Sequence, residues 1–433
     1  MPYKVLYCIF VKLTLCNANM NTLDVTIVGG GIIGICSALS LQDRGINVRL
    51  IDRESPGQTT SFGNAGVISP WSIIPQSKPG LLKTIPKMMF SGWKPLSIRA
   101  GIWSSMIPWG LKFLSKGTEV GVRQTADAMS LLCTPSIELY RKHLKNTGDE
   151  GLVKDTAYLQ LIKHAEDASL DDIASQIRLK KGANIEIIKG SALRSLEPAL
   201  SSTFEAGIVI YNTARTISPG RLGAVLAKKA QSQGAKIIKD QINEIRRDGD
   251  NWFLKGKVSK YNTKLLVIAA GAWSKELLSS IGVRVPLIAE RGYHIHCANP
   301  GIDVINSVVY SEGGVIASSM EGGVRIAGQV EFGPIDASPD PKRELRLKGI
   351  ARKIFPDIGL TKTKFWMGRR PSFPDSIPVI GTVPKQPGLF VNFGHSHHGL
   401  MMAPKSGEVL ANTLVQNPIN EDVSSISIKR FMN

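Results

Sequence analysis

Three glycines near the start of the sequence have the spacing of a loop that binds phosphate. Gly29, Gly31 and Gly34 follow the pattern G-x-G-x-x-G. In such a loop the first glycine allows a tight turn and the second lets backbone N–H groups approach a pyrophosphate. The third lets a helix pack closely on a strand. Asp52 follows roughly 20 residues later, where its carboxylate can accept hydrogen bonds from a ribose hydroxyl and would repel a 2′-phosphate. The spacing predicts a dinucleotide site that disfavours NADP.

The elements around these glycines follow a β-α-β pattern. The sequence "DVTIV" predicts a short strand from Asp24, "GGGIIG" a glycine turn, and "ICSALSLQDRG" a helix closed by Gly45. A second strand, "NVRLID", ends at Asp52. A strand, a helix and a terminal acid in this order raise the glycine pattern from a weak motif to a specific one.

Two later segments indicate that the dinucleotide is FAD rather than NAD. Residues 264–278, "KLLVIAAGAWSKELL", predict a buried strand, a small-residue turn and a helix. Near the C-terminus, "LFVNFGHSHHGLMMAPKSGEVLANTL" predicts a strand, a loop from Gly394 to Gly399, and a helix that begins near Pro404. The positive end of that helix would stabilise negative charge on the N1/O2 side of a reduced flavin.

Together with these segments, several motifs resemble the D-amino-acid oxidase superfamily of FAD-dependent oxidoreductases. The motifs are "TTSFGNAGVISP", "ERGYHIHC", "GRRPSFPDSIPVIG" and "GHSHHGLMMAP". The similarity runs from about Asp24 to the C-terminus and is greatest to bacterial D-amino-acid dehydrogenases, including those that act on D-hydroxyproline. It implies that a segment like "SFGNAG" lies along the flavin ring. Because no cysteine stands near the last two motifs, non-covalent FAD is expected. The cofactor-binding residues expected are Gly29, Gly31, Gly34, Asp52, Arg53, Ser61, Asn64, Ala65, Gly66, Gly271, Trp273, Gly394, His395, Gly399, Leu400 and Met401.

Arg370 matches the family arginine that holds a substrate carboxylate. Oxidation removes a hydride from Cα to flavin N5, so Cα must be held near N5 in a fixed orientation. A guanidinium does so with two parallel hydrogen bonds. Arg369 stands where the family usually has an apolar residue, which leaves open which arginine makes the contact. The alternative for Arg370 is an ion pair with a local acid such as Asp375.

Tyr293, His294, His397 and His398 are the other catalytic candidates. The resemblance suggests that Tyr293 and His294 face the pocket, with the Tyr293 hydroxyl donating to the substrate; an ordinary packed strand is the alternative. One histidine of the C-terminal loop is expected to contact flavin or substrate. No metal is expected, because no carboxylate ligands cluster near these histidines. Solvent or a histidine would accept the proton of the substrate amine.

The motifs are far apart in the sequence, so the cofactor domain must be discontinuous. The predicted fold class is α/β, or α+β overall, with a Rossmann-like FAD-binding domain and a mixed-sheet substrate domain. We expect residues 20–69, 216–282 and 372–433 to form the FAD-binding domain. Residues 70–215 and 283–371 would form the substrate domain, and residues 1–19 an N-terminal appendage.

Composition and charge suggest a location. The 433 residues carry a net charge of +18 and five scattered cysteines, which fit a reducing compartment and anionic partners. No apolar run is long enough to span a bilayer. Residues 55–118 contain no Asp or Glu, seven Lys or Arg, and Trp71, Trp93, Trp103 and Trp109. This pattern is typical of interfacial segments and suggests a cytoplasmic protein that rests on the anionic inner face of the cell membrane and passes electrons to quinone. The alternative is that the tryptophans are core or cover the active site.

These features predict an FAD-dependent dehydrogenase that converts a D-amino acid or cyclic imino acid to an imine. An oxygen-using amine oxidase of the sarcosine or glycine oxidase type is a close alternative. A flavin-dependent domain that modifies transfer RNA is a more distant one, since the charge suits RNA but no RNA-binding module is appended. The sequence does not indicate an oligomeric state.

Overall fold

The computed structural model describes residues 24–432, so the predicted appendage of residues 1–19 lies outside the described residues. The strands are β1 (Asp24–Val28), β2 (Asn47–Asp52), β3 (Val67–Ile68), β4 (Leu96–Ile98), β5 (Val153–Ile162), β6 (Ile185–Lys189), β7 (Ala206–Thr216), β8 (Lys236–Lys239), β9 (Ile242–Asp248), β10 (Asn251–Gly256), β11 (Lys260–Thr263), β12 (Leu265–Ile268), β13 (Ile288–Ala298), β14 (Ser307–Tyr310), β15 (Val315–Met320), β16 (Gly323–Phe332), β17 (Thr363–Ser372), β18 (Val379–Thr382) and β19 (Leu389–Phe393). The α-helices are α1 (Ile32–Gln42), α2 (Leu81–Phe90), α3 (Trp103–Ser115), α4 (Glu119–Cys133), α5 (Ser136–Leu144), α6 (Ile173–Lys180), α7 (Gly190–Leu196), α8 (Pro219–Ser232), α9 (Ser274–Ser279), α10 (Lys342–Ile354) and α11 (Gly399–Leu414).

A six-stranded sheet carries the predicted nucleotide-binding unit. Its order is β18-β19-β12-β1-β2-β8, and all neighbours pair in parallel except β18 and β19. Strands β1 and β2 flank α1 in sequence as predicted, and α1 packs against α8 and α11. Because the strands are covered by helices, they are almost continuously apolar, as β1 and β19 show.

A second, mixed sheet of ten strands lies beside the first. Its main path is β17-β13-β16-β15-β14-β5-β7-β3, with β4 paired to β16 and β6 to β7. Helix α10 packs on β13, and a separate apolar core forms there around Ile295, Ile326 and Ile350. A small antiparallel sheet, β11-β10-β9, completes the strands. The fold class predicted from the sequence is confirmed.

Several elements join the two sheets, and the division into domains stays a proposal. The short strand β3 pairs with β7 of the ten-stranded sheet, although it directly follows the loop of residues 60–66. Helices α4 and α5 belong to the segment assigned to the substrate domain, yet Met129 and Tyr140 lie in the core beneath the six-stranded sheet. Both observations place the link between the domains inside the packed core.

The C-terminal helix begins earlier than predicted, which corrects the expectation of a start near Pro404. Helix α11 starts at Gly399 and contains Pro404 in its second turn. A proline has no N–H, so the carbonyl of Leu400 loses its helical donor. The Tyr140 hydroxyl donates to that carbonyl over 2.6 Å and replaces the missing bond. A donor from a distant helix therefore permits the proline, and no local pattern could have revealed it.

Candidate active site

A large cavity runs between the two sheets and connects most of the predicted site residues. Its volume is about 1570 Å³, more than a typical small-ligand pocket requires. The wall includes the glycine loop at Gly29 and Gly31, the segment from Thr59 to Ala65, and the loop from Gly394 to His397. Residues from α2 and α3 lie at another part of the wall. The cavity therefore has room for a dinucleotide together with a second small molecule.

The glycine loop has the close contacts that the motif requires. A Cβ atom at Gly34 would lie 1.9 Å from the Gly29 carbonyl oxygen, so helix α1 and strand β1 can pack only with glycine here. Gly29 has φ +118°, and a Cβ there would lie 2.3 Å from the Ala269 oxygen. A Cβ at Gly31 would meet only the Ser61 hydroxyl, at 3.4 Å, which leaves that side of the loop open to a ligand backbone or phosphate. These contacts fit a dinucleotide at the N-terminus of α1.

Asp52 holds the glycine loop as well as lining the cavity. Its Oδ2 accepts a hydrogen bond from the Gly30 N–H over 2.5 Å, and its Oδ1 accepts one from the Glu54 N–H over 2.8 Å. Burial raises the pKa of the Asp52 carboxyl, and the two backbone N–H donors counteract part of that effect. The carboxylate stands at the end of β2, where the predicted ribose contact would be made.

The segment of residues 60–66 is held from both sheets. The Ser61 hydroxyl accepts a hydrogen bond from the Ile32 N–H over 3.0 Å and so caps the N-terminus of α1. The Asn64 side chain accepts from the Gly66 N–H over 2.8 Å, and Gly66 has φ +82°. Ser61, Asn64 and Ala65 line the cavity, whereas Gly66 turns the chain into β3.

Trp273 lies at the cavity wall with two arginines on its ring. The Arg53 guanidinium lies 3.8 Å from the centre of the indole ring and the Arg369 guanidinium 5.7 Å from it. The Arg369 Nε donates to the Ile335 carbonyl. Burial and the neighbouring Arg291 lower the pKa of Arg369. Arg369 thus belongs to the Trp273 side of the cavity, on the face of β17 opposite Arg370.

Arg370 forms an ion pair with Glu290, a partner that the sequence analysis missed. The Arg370 Nη1 lies 2.6 Å from the Glu290 Oε1, and it also donates to the Gln329 carbonyl over 3.1 Å. Asp375, the acid suggested from the sequence, instead pairs with Arg430 over 2.7 Å. Arg370 nevertheless lines the cavity, and 19% of its side chain is exposed. The pairing with Glu290 could have been suspected only from the strand register, in which Glu290 is opposite Arg370.

Tyr293 lines the cavity as expected, but a protein side chain already accepts the hydrogen of its hydroxyl. The hydroxyl donates to the Glu331 carboxylate over 2.9 Å, and the residue is 1% exposed. Glu331 also pairs with Arg291 over 2.7 Å and with Arg99 over 3.1 Å. With Arg343 at 4.0 Å, three arginines surround one carboxylate in a buried polar network in which the tyrosine hydroxyl is already bonded.

His294 lies away from the cavity and so corrects the expectation that it faces the pocket. Its Nδ1 is 3.1 Å from the Gly63 carbonyl oxygen, and its ring stacks on Trp366 with 4.9 Å between ring centres. A carbonyl oxygen can only accept, so Nδ1 carries the proton. Burial and the nearby Arg325 lower the pKa of His294 to about 3, and the imidazole is neutral at neutral pH.

The three histidines of the C-terminal loop occupy different positions. His397 lines the cavity, and the Gln76 amide nitrogen lies 3.2 Å from its Nδ1. His395 Nε2 lies 2.9 Å from the Ser406 hydroxyl inside α11. His398 is buried behind His397, with 3.8 Å between the ring centres. Burial lowers the pKa of His395 and of His397 to about 3, and that of His398 well below its usual value.

The remaining predicted residues fall on the same cavity or support it. Gly271, Gly394, Gly399, Leu400 and Met401 line the cavity. Within residues 24–432, no group of three or more His, Cys, Asp or Glu side chains is placed to hold a metal ion. Two residues that the sequence analysis did not single out, Gln76 and Arg325, contact His397 and the segment of residues 60–66. Neither residue lies in a local sequence motif that could have identified it as part of the site.

The fold and cavity define a dinucleotide-dependent oxidoreductase, with a βαβ phosphate loop at one end of the cavity and an arginine at its wall. The chain belongs to the family of FAD dependent oxidoreductases known as DAO, which it matches over residues 24–413. The resemblance found from the motifs is therefore confirmed, and FAD is the cofactor. The glycine loop, the Ser61 cap and the Trp273 wall are the residues that would hold it.

Individual relatives support this assignment. The chain is 31% identical to a D-amino-acid oxidase of Bradyrhizobium diazoefficiens, over 94% of this chain and 99% of that one. It is 30% identical to a D-amino acid dehydrogenase of the same organism, with the same coverage. The structure of glycine oxidase from Geobacillus kaustophilus superposes with a TM-score of 0.73 at 21% identity, and covers 95% of this chain and 100% of that chain. At that identity the structural similarity shows a shared fold.

Proposed function

We propose that the protein oxidises a D-amino acid, or a cyclic imino acid, at the carbon that carries the nitrogen. The observation that supports this most directly is the Arg370 guanidinium on the cavity wall. Glu290 and the Gln329 carbonyl occupy its Nη1, the Gly328 carbonyl lies 3.5 Å from its Nη2, and within residues 24–432 no partner is bonded to its Nε. The Nε–H and the second N–H of Nη2 would therefore bind a carboxylate in the bidentate geometry that guanidinium favours.

The chain's own residues would bind and orient the substrate. Bound FAD would supply the acceptor for the hydride that leaves the substrate carbon. Arg370 would fix the carboxylate, and Glu290 would fix Arg370, so that the substrate enters in one orientation. Because the Gln76 amide donates to Nδ1 of His397, the imidazole proton lies on Nε2. His397 would then act as a hydrogen-bond donor in the cavity, and solvent would take the proton of the amine.

The names of two relatives support the choice of D-amino acids. The two bacterial proteins that are about 30% identical over nearly their whole length are named as a D-amino-acid oxidase and a D-amino acid dehydrogenase. Anaerobic mixing of the purified holoprotein with D-amino acids, their L-enantiomers, D-proline derivatives and sarcosine tests the proposal. We expect loss of flavin absorbance with D-amino acids or D-imino acids. Bleaching by L-amino acids alone would overturn the proposed stereochemistry.

The electron acceptor separates a dehydrogenase from an oxidase. We favour a quinone or another carrier, because the cavity is bounded in part by apolar helices that fit a lipid-soluble acceptor. An oxidase is the second candidate, since one of the two relatives carries that name. Mixing the reduced protein with oxygen or with a soluble quinone in a stopped-flow instrument distinguishes them. Reoxidation that is fast with quinone and slow with air is expected, and the reverse would favour the oxidase.

Helices α2 and α3 support a peripheral contact with an anionic membrane. Five of the ten large exposed hydrophobic side chains within residues 24–432 lie on these two helices. No residue of α2 is buried, and Trp109 is the buried residue of α3. Residues 55–118, which include both helices, contain Lys and Arg but no Asp or Glu, and this charge pattern favours an anionic lipid surface. Within residues 24–432, no helix combines the length and the apolar character needed to cross a bilayer.

The membrane proposal has its own test, which is independent of the substrate. The full-length holoprotein is mixed with vesicles of phosphatidylglycerol and phosphatidylcholine and floated through a density gradient. Salt-sensitive flotation with anionic vesicles and none with pure phosphatidylcholine is expected. Protein that stays at the bottom of the gradient with both vesicles would refute the membrane contact and leave the enzymatic proposal intact.

A further inference from the structure

Arg325 is a buried arginine bonded to backbone of the cavity wall. It lies on β16 opposite His296 of β13, and it is 6% exposed. Its Nη1 donates to the Phe62 carbonyl over 2.9 Å and to the Asn64 carbonyl over 2.7 Å. Its guanidinium carbon lies 5.6 Å from the centre of the Phe62 ring. A strand of the ten-stranded sheet is therefore tied to the segment of residues 60–66.

The charge of Arg325 has no carboxylate partner within residues 24–432. Burial alone lowers its pKa to about 10, which leaves the guanidinium charged at neutral pH. Arg291 and Arg370 near the same cavity are different, because Arg291 shares Glu331 and Arg370 pairs with Glu290. A buried cation without a counter-ion is costly unless nearby dipoles stabilise it. Here two carbonyl dipoles and an aromatic face do so in part, and a net positive charge remains.

His294 contacts the carbonyl between the two that Arg325 binds. Because Nδ1 of His294 faces the Gly63 oxygen, the carbonyls of three successive residues are held by side chains of β13 and β16. Gly63, which must be glycine because a Cβ would lie 1.8 Å from Trp366, is held closely against the same sheet. Gly63 and Asn64 also line the cavity. The backbone orientation of the cavity wall is thus set by these contacts rather than by the segment itself.

We propose that Arg325 positions the flavin-binding segment of residues 62–64 and that its unpaired charge raises the reduction potential of bound FAD. Reduction adds negative charge to the cofactor, and a fixed cation behind a dry wall favours the more negative state. The inference rests on the family's cofactor, so it holds whichever amine is the substrate. Arg325 is a positioning residue, since the contacts shown are to backbone of the wall.

A matched control lies elsewhere in the same domain. Arg194 on α7 also donates to backbone carbonyls, those of Leu200, Ser201 and Phe204, and it has no ion pair within residues 24–432. Arg194 does not line the cavity. The substitution Arg194→Met removes the same kind of contact away from the flavin, so a shift found with both variants would reflect general loosening of the fold.

The experiment measures the midpoint potential and the FAD dissociation constant of Arg325→Met, Arg325→Lys and Arg194→Met in the full-length protein. We expect Arg325→Met to lower the midpoint potential and to weaken FAD binding roughly tenfold, as for loss of a charge-assisted hydrogen bond. Arg325→Lys keeps the charge and should keep the potential closer to wild type. If Arg325→Met does not fold, the FAD affinity of Arg325→Lys tests the proposal instead. We expect that affinity to be lower than in the wild-type protein. Unchanged potential and affinity, or equal shifts in Arg194→Met, would overturn the proposal.

Discussion

Arg370 and Glu290 are directly opposite each other on the neighbouring strands β17 and β13, and their charged groups meet at 2.6 Å. Gly292, two residues along β13, leaves the space that the guanidinium occupies, since a Cβ there would lie 2.2 Å from Nη2. Ser372 donates to the second oxygen of Glu290 over 3.0 Å. The arginine is therefore held at Nη1 by a buried acid, and its side chain lines the cavity.

We expect Arg370→Met to reduce kcat/KM for the amino acid by roughly 10- to 150-fold, the effect of losing a charged hydrogen bond of about 1.5–3 kcal/mol. Arg370→Lys should restore part of the activity, because it keeps the charge and loses the bidentate geometry. Steady-state kinetics with the best substrate from the anaerobic panel measure both. Arg369→Met is the matched control, because Arg369 lies at Trp273 on the other face of β17. A larger loss of kcat/KM in Arg369→Met than in Arg370→Met would show that Arg369 binds the substrate carboxylate.

Two glycines of the same loop should respond differently to alanine. In Gly34→Ala the new Cβ would lie 1.9 Å from the Gly29 carbonyl oxygen, so α1 must move and even the FAD-free protein should lose about 1–3 kcal/mol. In Gly31→Ala the Cβ meets only the Ser61 hydroxyl, at 3.4 Å, so the FAD-free protein should keep its stability. FAD binding should nevertheless weaken, because the methyl group occupies the space next to the phosphate site. Urea unfolding without FAD and FAD titration separate the effects, and equal unfolding midpoints for both variants would contradict the prediction.

The local parts of the site could be predicted from the sequence, and the long-range parts could not. Gly29, Gly34 and Asp52 form a motif whose spacing encodes its own geometry, and the βαβ unit around them follows from the same short-range pattern. Tyr293 lines the cavity as expected and His294 does not, because neighbouring residues of a strand face opposite sides and a sequence does not show which side meets the cavity. Glu331, which bonds the Tyr293 hydroxyl, lies on another strand, and its approach depends on sheet register.

The bond from Tyr140 to Leu400 should matter only while Pro404 is present. Tyr140→Phe leaves the Leu400 carbonyl buried without a donor, and we expect a loss of about 1–3 kcal/mol in the free energy of unfolding. Pro404→Ala returns an N–H to that carbonyl, so the tyrosine substitution should cost less in this background. Denaturant unfolding of the two single variants and the double variant gives the coupling energy. Additive effects would show that the hydroxyl does not replace the helical bond.

Stability should fall as the pH is lowered through the range in which exposed histidines take up protons. His294 has its pKa lowered from 6.5 to about 3, so between these values the unfolded chain binds more protons than the folded one. The free energy of unfolding therefore rises with pH across this window. The contribution of His294 to stability is lost progressively as the pH falls below 6.5. At pH 5 one such histidine lowers the free energy of unfolding by up to roughly 2 kcal/mol. His294→Asn, whose amide does not titrate, should flatten the pH dependence of the melting temperature, whereas His164→Asn at an exposed position should not. If the melting temperatures of both variants depended on pH in the same way, this prediction would be wrong.

The exposed apolar face of α2 and α3 gives a membrane prediction with an internal control. Leu82 and Phe90 on α2 are 66% and 78% exposed, and Leu111 on α3 is 66% exposed. Glutamate at Leu82 or Phe90, neither of which lines the cavity, would remove apolar area and place a negative charge against an anionic bilayer, so flotation with anionic vesicles should fall at least several-fold. Leu345→Glu is the control, since Leu345 is 72% exposed on α10, away from these helices. The anaerobic reduction of FAD by the amino acid should be unchanged in all three variants, which would show that the fold and the substrate site are intact. If Leu345→Glu lost flotation as well, added negative charge alone would explain the result, and α2 and α3 would have no special role at the membrane.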